Sequence, residues 1–223
     1  MKKEKNFLKE FFEFSYRILI INLCFIITSF PFFVIYIFVI PSFENILFFV
    51  ISSLPLGASL VATFGVCRKF IEDKDLSIVS QFLKDYKTNF KSATAFWLTQ
   101  VTIIFVFLLN YRYVTETGDM RFLFPFYLLG ILSCLLVSTL AFPILSRFEV
   151  KIQSLYQVSF YCLVRYLRVT MINVGIIVAA LLTGMQFPIF TGIFIFSTTC
   201  YLISHNVNNM LKELEEMNEK ITT

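Results

Sequence analysis

Long runs without charge dominate the hydrophobic pattern of this chain. Five runs contain no Asp, Glu, Lys or Arg, and they cover residues 18–43, 45–67, 92–111, 122–146 and 169–211. Each run provides the ~20 residues with which an α-helix crosses ~30 Å of hydrocarbon. Because a helix also satisfies its own backbone hydrogen bonds in lipid, the pattern predicts an all-α, polytopic transmembrane helical bundle.

The fifth run is too long for a single span. It contains Thr183-Gly184-Met185-Gln186-Phe187-Pro188, in which a glycine and a proline enclose a polar segment, and this predicts a tight hairpin. A re-entrant hairpin across 169–204 is the alternative. We therefore expect a single transmembrane domain at 1–206, followed by a helical tail at 207–223, with about six spans at 18–40, 46–66, 93–109, 122–145, 169–183 and 189–204.

Basic residues are distributed unequally between the two sides of these spans. All but two of the 19 Lys and Arg lie in the amino-terminal arm, the second and fourth loops and the tail; the exceptions are Arg112 and Arg121. The positive-inside rule then predicts that both termini are cytoplasmic. The net charge of +4 reflects this bias and anionic lipid, so no nucleic-acid partner is expected.

Two loops predicted to be cytoplasmic contain amphipathic helices. Apolar residues recur at spacings of three and four after Asp75, the predicted cap, and again after Arg147-Phe148-Glu149. Such helices usually lie in the membrane interface, but their symmetrical placement, which hints at an internal duplication, also makes them candidate interaction sites. The candidate interaction residues in these loops are Leu76, Leu83, Tyr86, Phe90, Arg147 and Phe148.

The tail continues with an apolar stripe at coiled-coil spacing. Val207, Met210, Leu214, Met217 and Ile221 are separated by three or four residues, as at the a and d positions of a coiled coil, although only about two heptads are present. In one interpretation Leu214 and Met217 bind a partner or a second copy in a homo-oligomer. In the other, the stripe packs on the chain's own loop helices.

Within the predicted spans, two kinds of residue are candidates for function. Asn22, Gln100 and Asn173 either form interhelical hydrogen bonds or line a polar path between helices one, three and five. Three prolines are candidate hinges, although static kinks are the commoner outcome. They are Pro31, Pro55 and Pro143.

No constellation typical of an enzyme is present. The five cysteines form no C-x-x-C pair, His205 is the only histidine, and no Asp or Glu lies inside a predicted span. There is no phosphate-binding loop or nucleophile motif. We therefore expect no catalytic residue, cofactor or metal.

Several segments resemble a known family. They are Ser29-Phe30-Pro31, Pro55-Leu56-Gly57, Arg68-Lys69-Phe70, Asn89-Phe90-Lys91 before Trp97, and Phe142-Pro143 through Arg147-Phe148. They resemble the YesL family of small bacterial membrane proteins, over most of the chain through about Phe160. The family has no assigned reaction, but its members are often encoded beside sugar uptake systems of the ATP-binding-cassette type.

The resemblance implies an accessory role in carbohydrate uptake. Three hypotheses follow, and the first is preferred: a non-enzymatic membrane partner of an ATP-binding-cassette sugar transporter, or of another membrane protein. The second is a small permease or channel lined by Asn22, Gln100 and Asn173. A membrane enzyme ranks below both, because chemistry needs a positioned catalytic group.

Overall fold

A computed structural model describes residues 2–72, 76–117, 121–187 and 194–222. Within these ranges the chain is helical and contains no strand. The elements are α1 (Lys2–Thr28), α2 (Phe30–Phe38), α3 (Ile46–Ser52), α4 (Leu54–Glu72), α5 (Ile78–Thr117), a 3₁₀ turn (Arg121–Leu123), α6 (Phe124–Arg147), α7 (Ile152–Arg165), α8 (Leu167–Gln186) and α9 (Phe196–Thr222).

Five helical stretches are long and apolar enough to cross a membrane. They are Glu10–Thr28, Ile46–Glu72, Ile78–Glu116, Phe124–Arg147 and Leu167–Gln186. These stretches confirm the prediction of an all-α chain with membrane-spanning helices. Each overlaps one of the first five predicted spans, although Glu10–Thr28 shares only residues 18–28 with the predicted span 18–40. The predicted sixth span, 189–204, begins outside the described residues and ends within α9.

Each of the first two predicted spans is interrupted at one residue, two positions before a candidate hinge proline. The breaks fall at Ser29, between α1 and α2, and at Ser53, between α3 and α4. Pro31 and Pro55 therefore occupy the second position of a new helix, where the missing N–H needs no intrahelical partner. Only Pro143 of the three candidate hinges lies inside a continuous helix, α6.

The two amphipathic loop helices lie at the predicted places along the chain but differ in construction. The first is continuous with the third span, because the 40 residues of α5 contain neither Gly nor Pro. The second is the separate helix α7, which ends at the non-helical Tyr166 before α8 begins. Asp75, the predicted cap of the first, lies outside the described residues.

Helix α4 occupies the centre of the bundle and packs against α1, α5, α6 and α9. Small residues let its backbone approach its neighbours closely, as is usual between membrane helices. A Cβ atom added to Gly57 would lie 2.5 Å from Cβ of Trp97 and 2.8 Å from the carbonyl oxygen of Ala93. The core therefore lies around α4, whereas α8 exposes much of its apolar surface.

Candidate functional site

Charged side chains converge where α4 and α6 end and where α5 and α7 begin. We call this region the basic end of the bundle; by the basic-residue count it is the predicted cytoplasmic end. The tail of α9 also reaches it, through Glu213 and Glu215. The basic end brings together residues that are far apart in the sequence.

Asp85 is the buried acid of the basic end. It is only 8% exposed, and Lys69 Nζ donates to its two carboxylate oxygens at 2.8 and 3.1 Å. Gln81 Nε2 donates to Oδ1 at 2.7 Å. A Cβ atom on Gly65 would lie 2.6 Å from Asp85 Oδ2, so the glycine makes room for this carboxylate.

Asp85 differs from its neighbours on the first loop helix. In the sequence pattern Lys84, Asp85 and Lys87 all lie off the apolar face of this helix. Lys84 and Lys87 are indeed exposed. Asp85 instead shares the buried face of α5 with Phe82, since Lys69 and Gln81 satisfy its charge.

Two arginines form a second charged cluster. Arg147 Nη2 donates to Glu215 Oε2, and Arg68 Nη1 lies 3.4 Å from Glu72 Oε2. The Arg147 side chain is 9% exposed and that of Arg68 is 15% exposed. Within the described part of the chain, Nε of both arginines and Nη1 of Arg147 are buried without a hydrogen-bond partner.

The tail is held at a second point by a tyrosine. The Tyr166 hydroxyl donates to Glu213 Oε2 at 2.7 Å, at the turn between α7 and α8. The pKa of Tyr166 is raised, first because its proton is shared with the Glu213 carboxylate and second because of burial. Glu213 and Glu215 thus attach one face of α9 to two different elements.

The apolar stripe of the tail largely packs within the chain. Val207 and Met210 are buried, Leu214 packs against the core, and Met217 is half-buried, while the side chain of Ile221 lies outside the described ones. This arrangement agrees with packing on the chain's own helices. Leu214 and Met217 remain the least covered members of the stripe.

Helix α7 combines an inner face with an outer apolar face. Leu155, Ser159 and Cys162 are buried, and the Tyr156 ring packs on Phe96 with 5.4 Å between centroids. Burial raises the pKa of Tyr156 to about 12 and that of the Cys162 thiol to about 11. Both groups are therefore protonated at neutral pH, which agrees with cysteine acting as a packing residue.

The predicted interaction residues fall into two groups. Leu83 and Phe90 are exposed, whereas Leu76, Tyr86, Arg147 and Phe148 are half-buried. Val79 is exposed beside Leu83 on the same side of α5. Phe160 and Val164, which were not among the predicted interaction residues, are exposed on α7. Their spacing of four on an amphipathic helix is the signal that could have identified them.

The three intramembrane amides contact two helices, α9 for Asn22 and Asn173 and α6 for Gln100. Asn22 Oδ1 accepts from Ser197 Oγ at 3.1 Å, and Asn173 Oδ1 accepts from Asn206 Nδ2 at 2.8 Å. Gln100 Nε2 lies 3.5 Å from the Cys134 carbonyl oxygen. None of these three contacts joins two of the amides. Each of them is explained by interhelical hydrogen bonding.

Hydroxyl groups surround the two helix breaks. Trp97 Nε1 donates to Ser53 Oγ at 3.1 Å, and Thr94 Oγ1 lies 3.4 Å from the Leu54 carbonyl oxygen. Ser59 Oγ donates to Thr28 Oγ1 at 2.8 Å, which joins α4 to the end of α1. These contacts supply polar partners where the backbone leaves helical geometry.

The described residues contain no group of three or more His, Cys, Asp or Glu side chains that could hold a metal ion. The basic end contains two charged groups of residues. Asp85 is paired with Lys69, and the guanidinium groups of Arg68 and Arg147 have N–H donors that no described residue uses. Guanidinium groups favour carboxylate and phosphate oxygens. The chemistry that this geometry supports is recognition of an anionic group.

The fold defines an integral membrane protein built from apolar helices. Residues 18–111 match a family described as "Protein of unknown function, DUF624". This match covers α2 to α4, the end of α1 and most of α5, including the breaks at Ser29 and Ser53 and the Lys69–Asp85 pair. No curated protein and no solved structure matches the chain.

Proposed function

We propose that this protein is a non-enzymatic membrane subunit that assembles with a carbohydrate uptake system. Two considerations support the proposal: the resemblance to the YesL family, whose members are often encoded beside such systems, and the apolar surface of two helices at the basic end. The partner is taken to be the membrane-spanning subunit of an ATP-binding-cassette sugar transporter, meeting this chain within and beside the bilayer.

The observation that carries the proposal is an apolar stripe on the outer face of α5. Val79, Leu83 and Phe90 are exposed at spacings of four and seven, while an adjoining face of the same helix packs in the core through Phe82. An interfacial helix needs one apolar face, and α5 has two. The outer stripe therefore fits a narrow helix-to-helix contact with another protein.

Charges border this stripe and favour a protein over lipid as its neighbour. The exposed Lys84 and Lys87 lie between Leu83 and Phe90 on α5. On α7 the exposed Phe160 and Val164 form a second short apolar patch, which continues to Leu167 at the start of α8. A partner with a membrane-embedded apolar surface and an acidic inner rim matches both patches.

Crosslinking in native membranes tests the proposal. A photoreactive residue at Leu83 or Val164 is expected to crosslink to the membrane-spanning subunit of a sugar transporter, because both positions lie on the outer apolar faces. Leu83→Asp together with Phe90→Asp is expected to reduce co-purification of that subunit at least tenfold, since each change places a charge in the contact.

Thr88→Asp is the matched control, because Thr88 is exposed on the same helix but lies outside the stripe and carries none of its bordering charge. It should preserve co-purification. Crosslinks from Leu83 to lipid alone would contradict the partner role. Crosslinks from Leu83 to a second copy of this chain would show that the stripe mediates a homo-oligomer and not a contact with a transporter.

A small permease remains the second candidate, and the paired helix breaks favour it. Transporters often bind substrates where two half-helices meet in the membrane, and here Ser29 and Ser53 mark two such interruptions. Sugar uptake by liposomes containing only this protein, abolished by Ser53→Leu, is the result that this alternative requires.

A further inference from the structure

We propose that Arg68 and Arg147 form a binding site for a phosphate group at the basic end, and that the Glu215 carboxylate occupies part of this site in the structure. The proposal concerns a ligand of this chain and does not depend on the partner role. The residues of this site lie at the ends of α4 and α6 and in the tail of α9.

The geometry shows donors in excess of acceptors. Arg147 is 9% exposed, and the described contacts use only its Nη2, which donates to Glu215. Its Nε and Nη1 are buried with no partner among the described residues, and the same holds for Nε of Arg68. The charges of Arg68, Arg147 and Glu215 also lie close enough to interact with one another.

A phosphate group fits this arrangement better than the carboxylate does. A guanidinium group presents five N–H donors in a planar fork, and it binds phosphate through two parallel hydrogen bonds. One carboxylate offers two oxygens and one charge, whereas inorganic phosphate or a terminal phosphate offers at least three oxygens and more than one charge on average near neutral pH to two neighbouring arginines. Glu72 Oε2 lies 3.4 Å from Arg68 Nη1, so this contact leaves Arg68 Nε free for the phosphate.

The Glu215 side chain can leave the site without any movement of the core. It is 47% exposed, and among the side chains that the structure describes it lies beyond Met210 and Leu211, the last fully buried residues of α9. Its carboxylate is therefore an internal competitor for an incoming phosphate. The terminal phosphate belongs either to a soluble phosphorylated compound or to a phospholipid whose headgroup ends in a phosphate, because the ends of membrane-spanning helices lie at the depth of lipid headgroups.

Glu215→Gln tests the idea through a gain of function. In a non-ionic detergent at constant ionic strength, the purified variant should melt below the wild type, since Arg147 loses its charged partner. Inorganic phosphate should then restore the melting temperature, with an affinity about tenfold above that for the wild-type protein, because the competitor is gone. Chloride at the same ionic strength should not.

Glu213→Gln is the matched control. Glu213 lies on the same tail and also forms a side-chain hydrogen bond, but to Tyr166 instead of an arginine. This variant should lose stability without phosphate rescue. The double variant Arg147→Gln with Glu215→Gln replaces the ion pair by two neutral side chains. Phosphate should not raise its melting temperature.

The two sources of phosphate are separated by the lipid that co-purifies. If inorganic phosphate restores the melting temperature of lipid-free Glu215→Gln protein, the ligand is a soluble compound. If Glu215→Gln retains phospholipid on purification and the double variant does not, the ligand is a lipid headgroup. The proposal is overturned if Glu215→Gln shows neither response. Equal rescue in Glu213→Gln or in the double variant also overturns it, because the effect would not be specific to Arg147.

Discussion

Asp85 and Tyr156 illustrate two outcomes for a polar side chain buried in this bundle. Asp85 has Lys69 and Gln81 as partners at 2.7 to 3.1 Å, so its burial is compensated. The Tyr156 hydroxyl is buried with no partner among the described residues. An unsatisfied buried hydroxyl costs about 1–3 kcal/mol, so removing it should not harm the fold.

Tyr156→Phe is therefore expected to keep or raise stability near pH 8, by up to about 1 kcal/mol. The variant should also lose less stability than the wild type at alkaline pH. Burial raises the pKa of Tyr156 to about 12, whereas an unfolded tyrosine ionises near pH 10. The stabilisation of the neutral phenol is complete below about pH 10 and disappears as the pH rises towards 12. Thermal unfolding between pH 8 and 11.5 measures this loss, which the variant should lack.

Tyr161→Phe is the control for this experiment, because Tyr161 is exposed on the same helix. It should retain the alkaline loss of the wild type. An equal loss in wild type and Tyr156→Phe would show that ionisation of other groups dominates.

At the scale of the helices, the close approach of α4 to α5 depends on Gly57. Gly57 faces the Trp97 side chain and the Ala93 carbonyl oxygen, and the carbonyl cannot move without displacing α5. Gly175 in α8 has no atom within 4 Å of an added Cβ. The two glycines lie in helices of similar length and differ in their surroundings.

Gly57→Ala is expected to destabilise the protein by about 1–3 kcal/mol, the usual cost of overpacking a tight contact. Gly175→Ala should be neutral or stabilise by up to about 1 kcal/mol, because alanine favours the helix and meets open space. Unfolding in mixed micelles compares the two variants. A neutral Gly57→Ala would mean that α4 and α5 can separate slightly without loss.

The elements also show how far the sequence could predict this fold. Each of the five candidate membrane-spanning stretches overlaps one uncharged run, because burial in lipid demands apolar length, although the first stretch begins eight residues before its run. The same runs could not reveal the breaks at Ser29 and Ser53, since a break between two apolar helices leaves hydropathy unchanged. The Ser-x-Pro pattern at both places, Ser29 to Pro31 and Ser53 to Pro55, was the available signal.

The charged contacts of the basic end were beyond prediction for a different reason. Lys69 and Asp85 are 16 residues apart, and Arg147 and Glu215 are 68 apart, so only the packing of the helices brings them together. On a helical wheel Asp85 belongs to the polar side of its loop helix. Gly65 decides its burial, and that glycine lies on another element.

At the scale of the whole molecule, the side on which the tail lies determines the number of spans. α9 runs antiparallel to α8, as the contact of Asn206 with Val169 and Asn173 and that of Glu213 with Tyr166 require. The tail is therefore on the side where α8 begins. If Leu167–Gln186 crosses the membrane, the chain must return across it to bring the tail there.

We therefore expect six crossings, with both termini in the cytoplasm. On a cysteine-free background, a membrane-impermeant thiol reagent added outside should label a cysteine at Thr117, because the basic residues place that end of α5 outside. It should not label cysteines at Ser80, Ser154 or Asn218, and permeabilisation should make all three reactive. Labelling of Asn218 from outside would leave five crossings and would separate the tail from Arg147 and Tyr166, in conflict with the contacts of Glu215 and Glu213.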